Sequence, residues 1–252
     1  MTTYPFGLQL YSVRDQLQQN PGQGLTRVRD AGYTHVELAG MYGLAPLQLK
    51  VLLDGAGLTP ISMHVPYEEL TGQLDQVLKA ASILGVSYIV VPWLGAESCA
   101  DKDAWLKAID AMDKAGAVIA RENTTLCYHN HAHEFESLDD TTIFELIFDN
   151  SAPENLKCEL DLGWAVVAKA ALLELLKKLT GRVPLVHVKD FKSVVPPAFT
   201  ELGKGVIYWE PILASARDAG AKWFIVEQDE SEQDTIESSR ENALFMRSLN
   251  AQ

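Results

Sequence analysis

Short runs rich in β-branched and aromatic residues recur along this chain, and each is followed by a stretch with helical periodicity. The runs are Phe6–Tyr11, Thr34–Leu38, Thr59–His64, Ser87–Trp93, Thr125–Asn130, Leu156–Asp161, Leu185–Lys189 and Trp223–Glu227. Between them Leu70–Ile83 places Leu70, Leu74, Val77, Leu78 and Ala81 on one face, and Asp101–Arg121 and Ala165–Leu179 are likewise amphipathic. Glycines at Gly32, Gly57, Gly85 and Gly220 stand where helices must stop before the next strand. Strict alternation favours a parallel sheet with helices outside it. Eight units in 252 residues are what a single (β/α)₈ TIM barrel spanning residues 1–252 needs. An open doubly wound sheet is the rival. It wants a phosphate-cradling glycine loop after the first strand, and Gln9-Leu10-Tyr11-Ser12-Val13-Arg14 is not one.

Acidic residues outnumber basic ones 34 to 21, for a net charge of −13. Such a surface repels phosphate backbones and anionic lipids, so neither nucleic acid nor membrane is an expected partner. Cys99, Cys127 and Cys158 make no Cys-x-x-Cys pair and cannot all be paired. Reduced thiols and the lack of a signal-peptide pattern after Met1 give the expectation of a cytoplasmic protein. Cys127 and Cys158, lying in strands, read as small core hydrophobes.

In a closed barrel, residues facing the interior alternate with residues facing the helices. Phasing the apolar residues outward leaves His35 and Glu37, Ser62 and His64, His129, Glu159 and Asp161, His187 and Lys189, and Ile225 and Glu227 facing inward. Carboxylates and imidazoles thus converge at the C-terminal ends of several strands, where barrel enzymes carry their active sites. Burying these charges unpartnered is costly, and a shared cation resolves the cost. Asp161, His187 and Glu227, on successive strands, form the strongest set. Two carboxylates and an imidazole suit Mn²⁺, Zn²⁺ or Co²⁺ better than calcium. The competing interpretation is a metal-free ion-pair network of His187 and Lys189 with Glu159, Asp161 and Glu227.

Tyr128-His129-Asn130-His131-Ala132-His133-Glu134 puts three histidines at alternate positions, which reads as a metal-binding tract or as a solvated loop with one useful histidine, at least one of the three being functional and not all. His64 and Glu37, at strand ends, either contact substrate or pair with neighbours. Trp93, Trp164 and Trp209 are candidates to line a sugar pocket, though large aromatics more often pack the core. The loops at residues 92–99 and 191–205 shape any pocket, the second as a lid or as a plain surface connection.

On these residues the chain resembles the sugar phosphate isomerase/epimerase group of the xylose-isomerase-like TIM barrels. The telling pieces are Leu8-Gln9-Leu10-Tyr11-Ser12-Val13-Arg14, Tyr128-His129-Asn130-His131 with Glu134-Phe135, Leu160-Asp161-Leu162-Gly163-Trp164, Val186-His187-Val188-Lys189-Asp190 and Val226-Glu227-Gln228-Asp229. The resemblance implies one divalent metal, Mn²⁺ first with Zn²⁺, Co²⁺ or Mg²⁺ as alternatives. Its implied ligands are Glu134, Asp161, His187 and Glu227, with His129 as the alternative to Glu134. It implies a keto sugar or related polyol as substrate, and an enediolate formed by loss of an α-proton. Glu227 and Glu134 are then base and acid, and Lys189 and His64 polarise or orient oxygens. Glu37, Arg14, His129, His131 and Trp164 are expected at the substrate. Many relatives carry a histidine where this chain has Trp164.

The main expectation is therefore a metal-dependent isomerase or epimerase. A lyase or dehydratase expelling a β-leaving group from a keto sugar or keto-inositol is the alternative, since it shares the intermediate. A non-catalytic sugar-binding barrel and a DNA-repair endonuclease of the related barrel group are further readings; intact Asp161, His187 and Glu227 weigh against the first, and the acidic balance against the second. Self-association into a homo-oligomer is left open.

Overall fold

A computed structural model of the chain describes residues 3–95 and 99–251. Eight parallel strands close into a ring: β1 Phe6–Gln9, β2 His35–Leu38, β3 Thr59–His64, β4 Tyr88–Val91, β5 Thr125–His129, β6 Leu156–Asp161, β7 Leu185–Val188 and β8 Trp223–Val226. Each pairs with its sequence neighbours, and β8 returns to β1 through Phe6↔Phe224, Gly7↔Ile225 and Leu8↔Val226. The (β/α)₈ barrel is thus the fold of this chain. Among the described residues no helix is long and apolar enough to cross a membrane.

The outer layer consists of α1 Pro21–Asp30, α2 Pro46–Ala56, α3 Leu74–Leu84, α4 Lys102–Ile119, α5 Ile143–Asp149, α6 Leu172–Lys178, α7 Trp209–Asp218 and α8 Thr235–Asn250, with shorter helical turns between them. Val36, Leu38, Cys158, Leu160, Val186, Val188, Phe224 and Val226 all point from the strands into this layer and are fully buried. That burial is the main driving force for wrapping helices around the sheet. Inside the ring Ile61, Tyr88, Val90, Cys127, Leu185 and Ile225 form a separate apolar plug. Gly7 belongs here because a Cβ would stand 2.8 Å from Ile61 Cδ1. The plug closes the barrel below the polar residues, so these face a dry floor on one side and a mouth on the other.

Several boundaries differ from those expected of the sequence, each for a local reason. The first strand stops at Gln9 because its side-chain oxygen accepts from the Tyr11 backbone N–H and starts a 3₁₀ turn over Leu10–Val13. The helix expected over Leu70–Ile83 is interrupted at Gln73, which ends a helix over Tyr67–Gly72, and resumes as α3. The helix expected over Ala165–Leu179 is two helices, Leu162–Val167 and Leu172–Lys178. Lys169 sits between them at φ +59, a left-handed conformation that ends the first helix. No glycine or proline marks that break. Asp101 caps α4 by accepting from the Ala104 N–H at 2.8 Å, and Gly57 and Gly85 end α2 and α3 at φ 72 and 75.

Helix α4 lies against the approach to β6 so closely that a Cβ on Gly116 would stand 2.0 Å from the carbonyl oxygen of Asn155. Backbone atoms on both sides leave no side chain to move aside. Gly116→Ala is therefore expected to destabilise the fold by about 1–3 kcal/mol or more, read as a lower denaturant midpoint. An unchanged midpoint would show that α4 is free to shift away from the sheet.

Candidate metal centre

The strand phasing brings the inward polar residues into two storeys above the apolar plug. In the upper storey His129 from β5, Asp161 from β6, His187 from β7 and Glu227 just past β8 offer four buried ligand atoms, all within 4.8 Å of one another. Pairing Asp161↔His187 and Ile225↔His187 in the ladder sets these strand ends level. In the lower storey Gln9, Glu37, Ser62, His64 and Glu159 surround the other side of His187. Glu37 accepts from Gln9 Nε2 at 2.8 Å and from Ser62 Oγ at 2.5 Å.

His187 bridges the storeys. Its Nδ1 lies 2.8 Å from Glu227 Oε2, and its Nε2 lies 2.7 Å from Glu37 Oε1. Lys189 is buried beside it, with Nζ 3.0 Å from Asp161 Oδ2, 2.7 Å from Glu227 Oε2 and 3.3 Å from Asp229 Oδ2. Gly163 permits this, since a Cβ there would stand 2.5 Å from Lys189 Cγ. Asp161 is fixed from two directions: its Oδ1 accepts from the Trp164 N–H at 2.7 Å, and its own N–H donates to Asn130 Oδ1 at 3.0 Å.

The protonation pattern follows from these contacts. Burial alone pushes Lys189 down, but the carboxylates of Asp161, Glu227 and Asp229 hold its ammonium above the usual lysine range. Burial likewise opposes charge on His64, yet Glu37 and Glu159 raise it to about 9. His187 is raised against burial by Glu159 and Glu37. Burial lowers His129 well below the usual imidazole range, reinforced by the neighbouring His187, and burial takes His131 to about 3. Both rings are therefore neutral, the form that ligates metals. Asp229 is pushed up to about 7 by burial and by the charge of Glu227.

The residues fit a divalent cation. Five carboxylates, Glu37, Glu159, Asp161, Glu227 and Asp229, gather around one ammonium. With all five ionised, and even with His64 and His187 both protonated, the group lacks two positive charges. Asp161 Oδ2 and His129 Nδ1 are buried and have no hydrogen-bond partner, although Lys189 Nζ lies near the first at angles that make no bond. Orphaned buried acceptors of this kind call for a missing partner. The ion-pair network expected as the competing interpretation is also present, but it leaves this deficit.

The expected site residues separate into groups. Asp161, His187 and Glu227 come together, and His129 is the fifth-strand residue beside them. Glu134 does not reach them. The chain turns after β5 into a 3₁₀ turn over His133–Phe135, where Glu134 accepts from Tyr128 Oη and from the His131 N–H, both at 2.7 Å. Glu134, expected as a ligand, thus stands apart from the cluster, and His129, its alternative, stands within it. A cavity of about 420 Å³ opens above the upper storey, lined by Tyr11, His64, Trp93, His131, Glu227 and Asp229 among others. Arg14 is not in that lining. Its guanidinium donates to the carbonyls of Tyr11 and Asp229 at 2.9 and 2.8 Å, which fixes the loop after β8. Glu37 lies below the cavity, and Lys189 is enclosed in its wall.

Of the three tryptophans, Trp93 lines the cavity and packs on His133 at 4.3 Å. Trp164 packs against Phe191 and Phe199, and Trp209 is buried at the start of α7. The segment at 191–205 begins as a hairpin, Asp190–Val194 with Pro197–Thr200, pinned by the buried Asp190, which accepts from the N–H groups of Phe191, Gly203, Gly205 and Ile207. Of the loop at 92–99, residues 96–98 lie outside the described residues. Sequence reasoning did not single out Gln9, Asn130 or Asp229 as site residues, and it placed Glu159 only in the ion-pair network. Glu159 carried a signal, since it lies two positions before Asp161 and so on the same face of β6.

This chain belongs to the xylose isomerase-like TIM barrel family, whose model matches residues 25–249. It is similar to inosose dehydratase of Klebsiella pneumoniae, 24% identical over 247 residues and covering 79% of each chain. Among solved structures it resembles a sugar phosphate isomerase/epimerase from Parabacteroides distasonis, with a TM-score of 0.82, 25% identity and 97% and 96% of the two chains covered. It shares its fold with the IolI protein carrying a bound zinc atom, with a TM-score of 0.75, 14% identity and 97% and 98% covered.

Asn130 holds Asp161 through the backbone, accepting from its N–H at 3.0 Å and donating to its carbonyl at 3.4 Å. Asn130→Ala is expected to weaken any divalent-cation binding at this cluster about 10–100-fold, the usual cost of losing an outer-shell partner. Equilibrium dialysis measures it. Unchanged affinity would show that Asp161 is held by its Trp164 contact alone.

Proposed function

We propose that the protein is a divalent-metal-dependent dehydratase acting on a polyhydroxy ketone of the keto-inositol class, with Mn²⁺ as the working metal. The observation that carries this reading is the cluster of His129, Asp161, His187 and Glu227 at the floor of a cavity of about 420 Å³, a size suited to a small polar ring. The curated relative, similar over most of the chain, is an inosose dehydratase, which favours elimination over isomerisation. The IolI protein, which shares this fold, carries a bound zinc atom, in keeping with a metal in this protein.

Held by those four residues, a divalent cation supplies Lewis acidity toward a ketone oxygen. The remaining work falls to this chain's own side chains. Elimination breaks a C–H bond next to the ketone and the C–O bond of the adjacent hydroxyl, forms a C=C bond and releases water. It needs one group to accept the proton and another to donate one to the departing hydroxyl. His131 and Asp229 line the cavity from the loops after β5 and β8, three places apart around the ring. His131 Nδ1 is buried without a hydrogen-bond partner. We assign the base role to Asp229, which lines the cavity with its pKa at about 7, and the acid role to His64, which lines it as an imidazolium, with neutral His131 as a hydrogen-bond acceptor for a substrate hydroxyl. Lys189 holds Asp229 and Glu227 in position, and His64 borders the cavity as a donor to substrate oxygens. The exposed Trp93 gives the ring a flat apolar face.

Isomerisation or epimerisation of a keto sugar is the second reading, favoured by the name of the Parabacteroides structure. One experiment separates them. The Mn²⁺-loaded protein is incubated with a 2-keto-inositol and with a panel of keto sugars in D₂O and followed by NMR. Loss of water from the keto-inositol is expected. Deuterium incorporation into a keto sugar without elimination would replace the first reading with the second, and neither outcome with any substrate would remove both. Exhaustive chelation is expected to abolish turnover and Mn²⁺ to restore it.

Asp229→Asn tests the base role. Metal affinity is expected to hold while kcat falls about 10²–10⁴-fold. A change confined to KM would move Asp229 from proton transfer to substrate binding.

A further inference from the structure

The lower storey contains a second set of ligand atoms. His64, His129, Glu159 and His187 also offer four atoms within 4.8 Å of one another. Glu159 Oε2 is the hub, 3.1 Å from His64 Nε2, 3.2 Å from His129 Nδ1 and 3.2 Å from His187 Nε2. A tetrahedral zinc with bonds of about 2.0–2.1 Å spaces its ligand atoms about 3.3 Å apart. Of these three contacts, only that of His64 has the geometry of a hydrogen bond. Close approach without hydrogen-bond direction is the arrangement expected of atoms placed around a common centre. His129 Nδ1 and the other Glu159 oxygen, Oε1, are buried and have no hydrogen-bond partner. Glu37 Oε1 adds a second carboxylate 2.7 Å from His187 Nε2 and 3.1 Å from His64 Nε2. Two carboxylates in a dry floor match the charge of one divalent ion.

We propose that this floor is a second cation site, selective for Zn²⁺ and held by His64 Nε2, His129 Nδ1, His187 Nε2 and Glu159. Three imidazoles favour zinc, whereas the upper storey, with two carboxylates and two imidazoles, accommodates Mn²⁺. The two storeys face opposite nitrogens of the same two rings. His129 Nε2 lies 3.9 Å and His187 Nδ1 4.0 Å from Asp161 Oδ2 on the upper side. A neutral imidazole has one lone pair and one N–H, so each ring ligates one storey at a time. With zinc below, the His187 Nδ1–H donates to Glu227; with a cation above, its Nε2–H donates to Glu37. Zn²⁺ in the floor therefore excludes Mn²⁺ from the upper storey, and the fold contains a choice between a buried zinc state and a cavity-facing manganese state. That choice rests on the proposed function, which places Mn²⁺ in the upper storey.

The test uses the whole chain with Zn²⁺ alone and with Mn²⁺ alone, measured by equilibrium dialysis. Asp161→Asn is expected to weaken Mn²⁺ at least about tenfold while Zn²⁺ affinity holds. Glu159→Gln, or His64→Asn where the first variant loses its far-ultraviolet circular dichroism, is expected to weaken Zn²⁺ at least about tenfold while Mn²⁺ holds. Zn²⁺ affinity that follows Asp161, or that is indifferent to both Glu159 and His64, would overturn the proposal. Anomalous scattering from zinc-grown crystals of the unaltered chain locates the ion independently. A peak among His64, His129, His187 and Glu159 supports the floor site, and a peak among Asp161 and Glu227, or none, refutes it. Failure of the upper-storey reading is separate, because it appears as an unaltered chain that does not bind Mn²⁺.

Discussion

An excess of buried negative charge at the C-terminal mouth of the barrel is the constraint around which this molecule is organised. Glu37, Glu159, Asp161, Glu227 and Asp229 share one lysine, Lys189, enclosed among the last three. Transfer of any of these carboxylates from water without a partner is costly. The fold answers with hydrogen-bond donors from Gln9, Ser62 and backbone amides, and with imidazoles that present both nitrogens to acids. What those donors leave over is a deficit of two positive charges, and the mouth is shaped as a receptacle for a divalent ion.

The surrounding architecture keeps that receptacle rigid. The apolar plug of Ile61, Tyr88, Val90, Cys127, Leu185 and Ile225 seals the barrel beneath it. Asn130 fixes the backbone of Asp161, Gly163 lets Lys189 pass close by, and Asp190 gathers four amide N–H groups to hold the segment that begins with the hairpin after β7. Arg14 serves the loop after β8 through two carbonyls. These residues touch no candidate substrate space, yet they determine where the ligand atoms stand to within the tenths of an ångström that coordination demands.

Much of the centre is legible in the chain because strands repeat every two residues. Once Val186 and Val188 face the helices, His187 and Lys189 must face the interior, and the same reasoning places Glu159 with Asp161 and Glu37 with His35. Of the residues that escaped this reading, Gln9 ends β1 and donates to Glu37, Asn130 acts through the backbone of Asp161, and Asp229 lies beyond a strand end. Asp229 follows β8 in a loop with no periodicity. Glu134 looks like a ligand in the run His129-Asn130-His131-Ala132-His133-Glu134, but the tight turn over His133–Phe135 takes it toward Tyr128. Trp164, a candidate to line the pocket, packs on Phe191 and Phe199 and stands 5.9 Å from the cavity-lining His131. The break at Lys169 falls in a stretch of good helix formers, where tertiary packing overrides local propensity.

By itself the sequence determined the alternation of strand and helix, the closure into eight units and the set of acids and imidazoles that face inward, because burial and the period of two are local properties of the chain. Only the tertiary structure decided that His129 rather than Glu134 stands beside Asp161, that His187 touches Glu227 with one nitrogen and Glu37 with the other, and that Lys189 lies inside the acidic cluster. Those outcomes depend on distances between strands far apart in sequence. Strand register and the turns after each strand set them, and neither is encoded in any single segment.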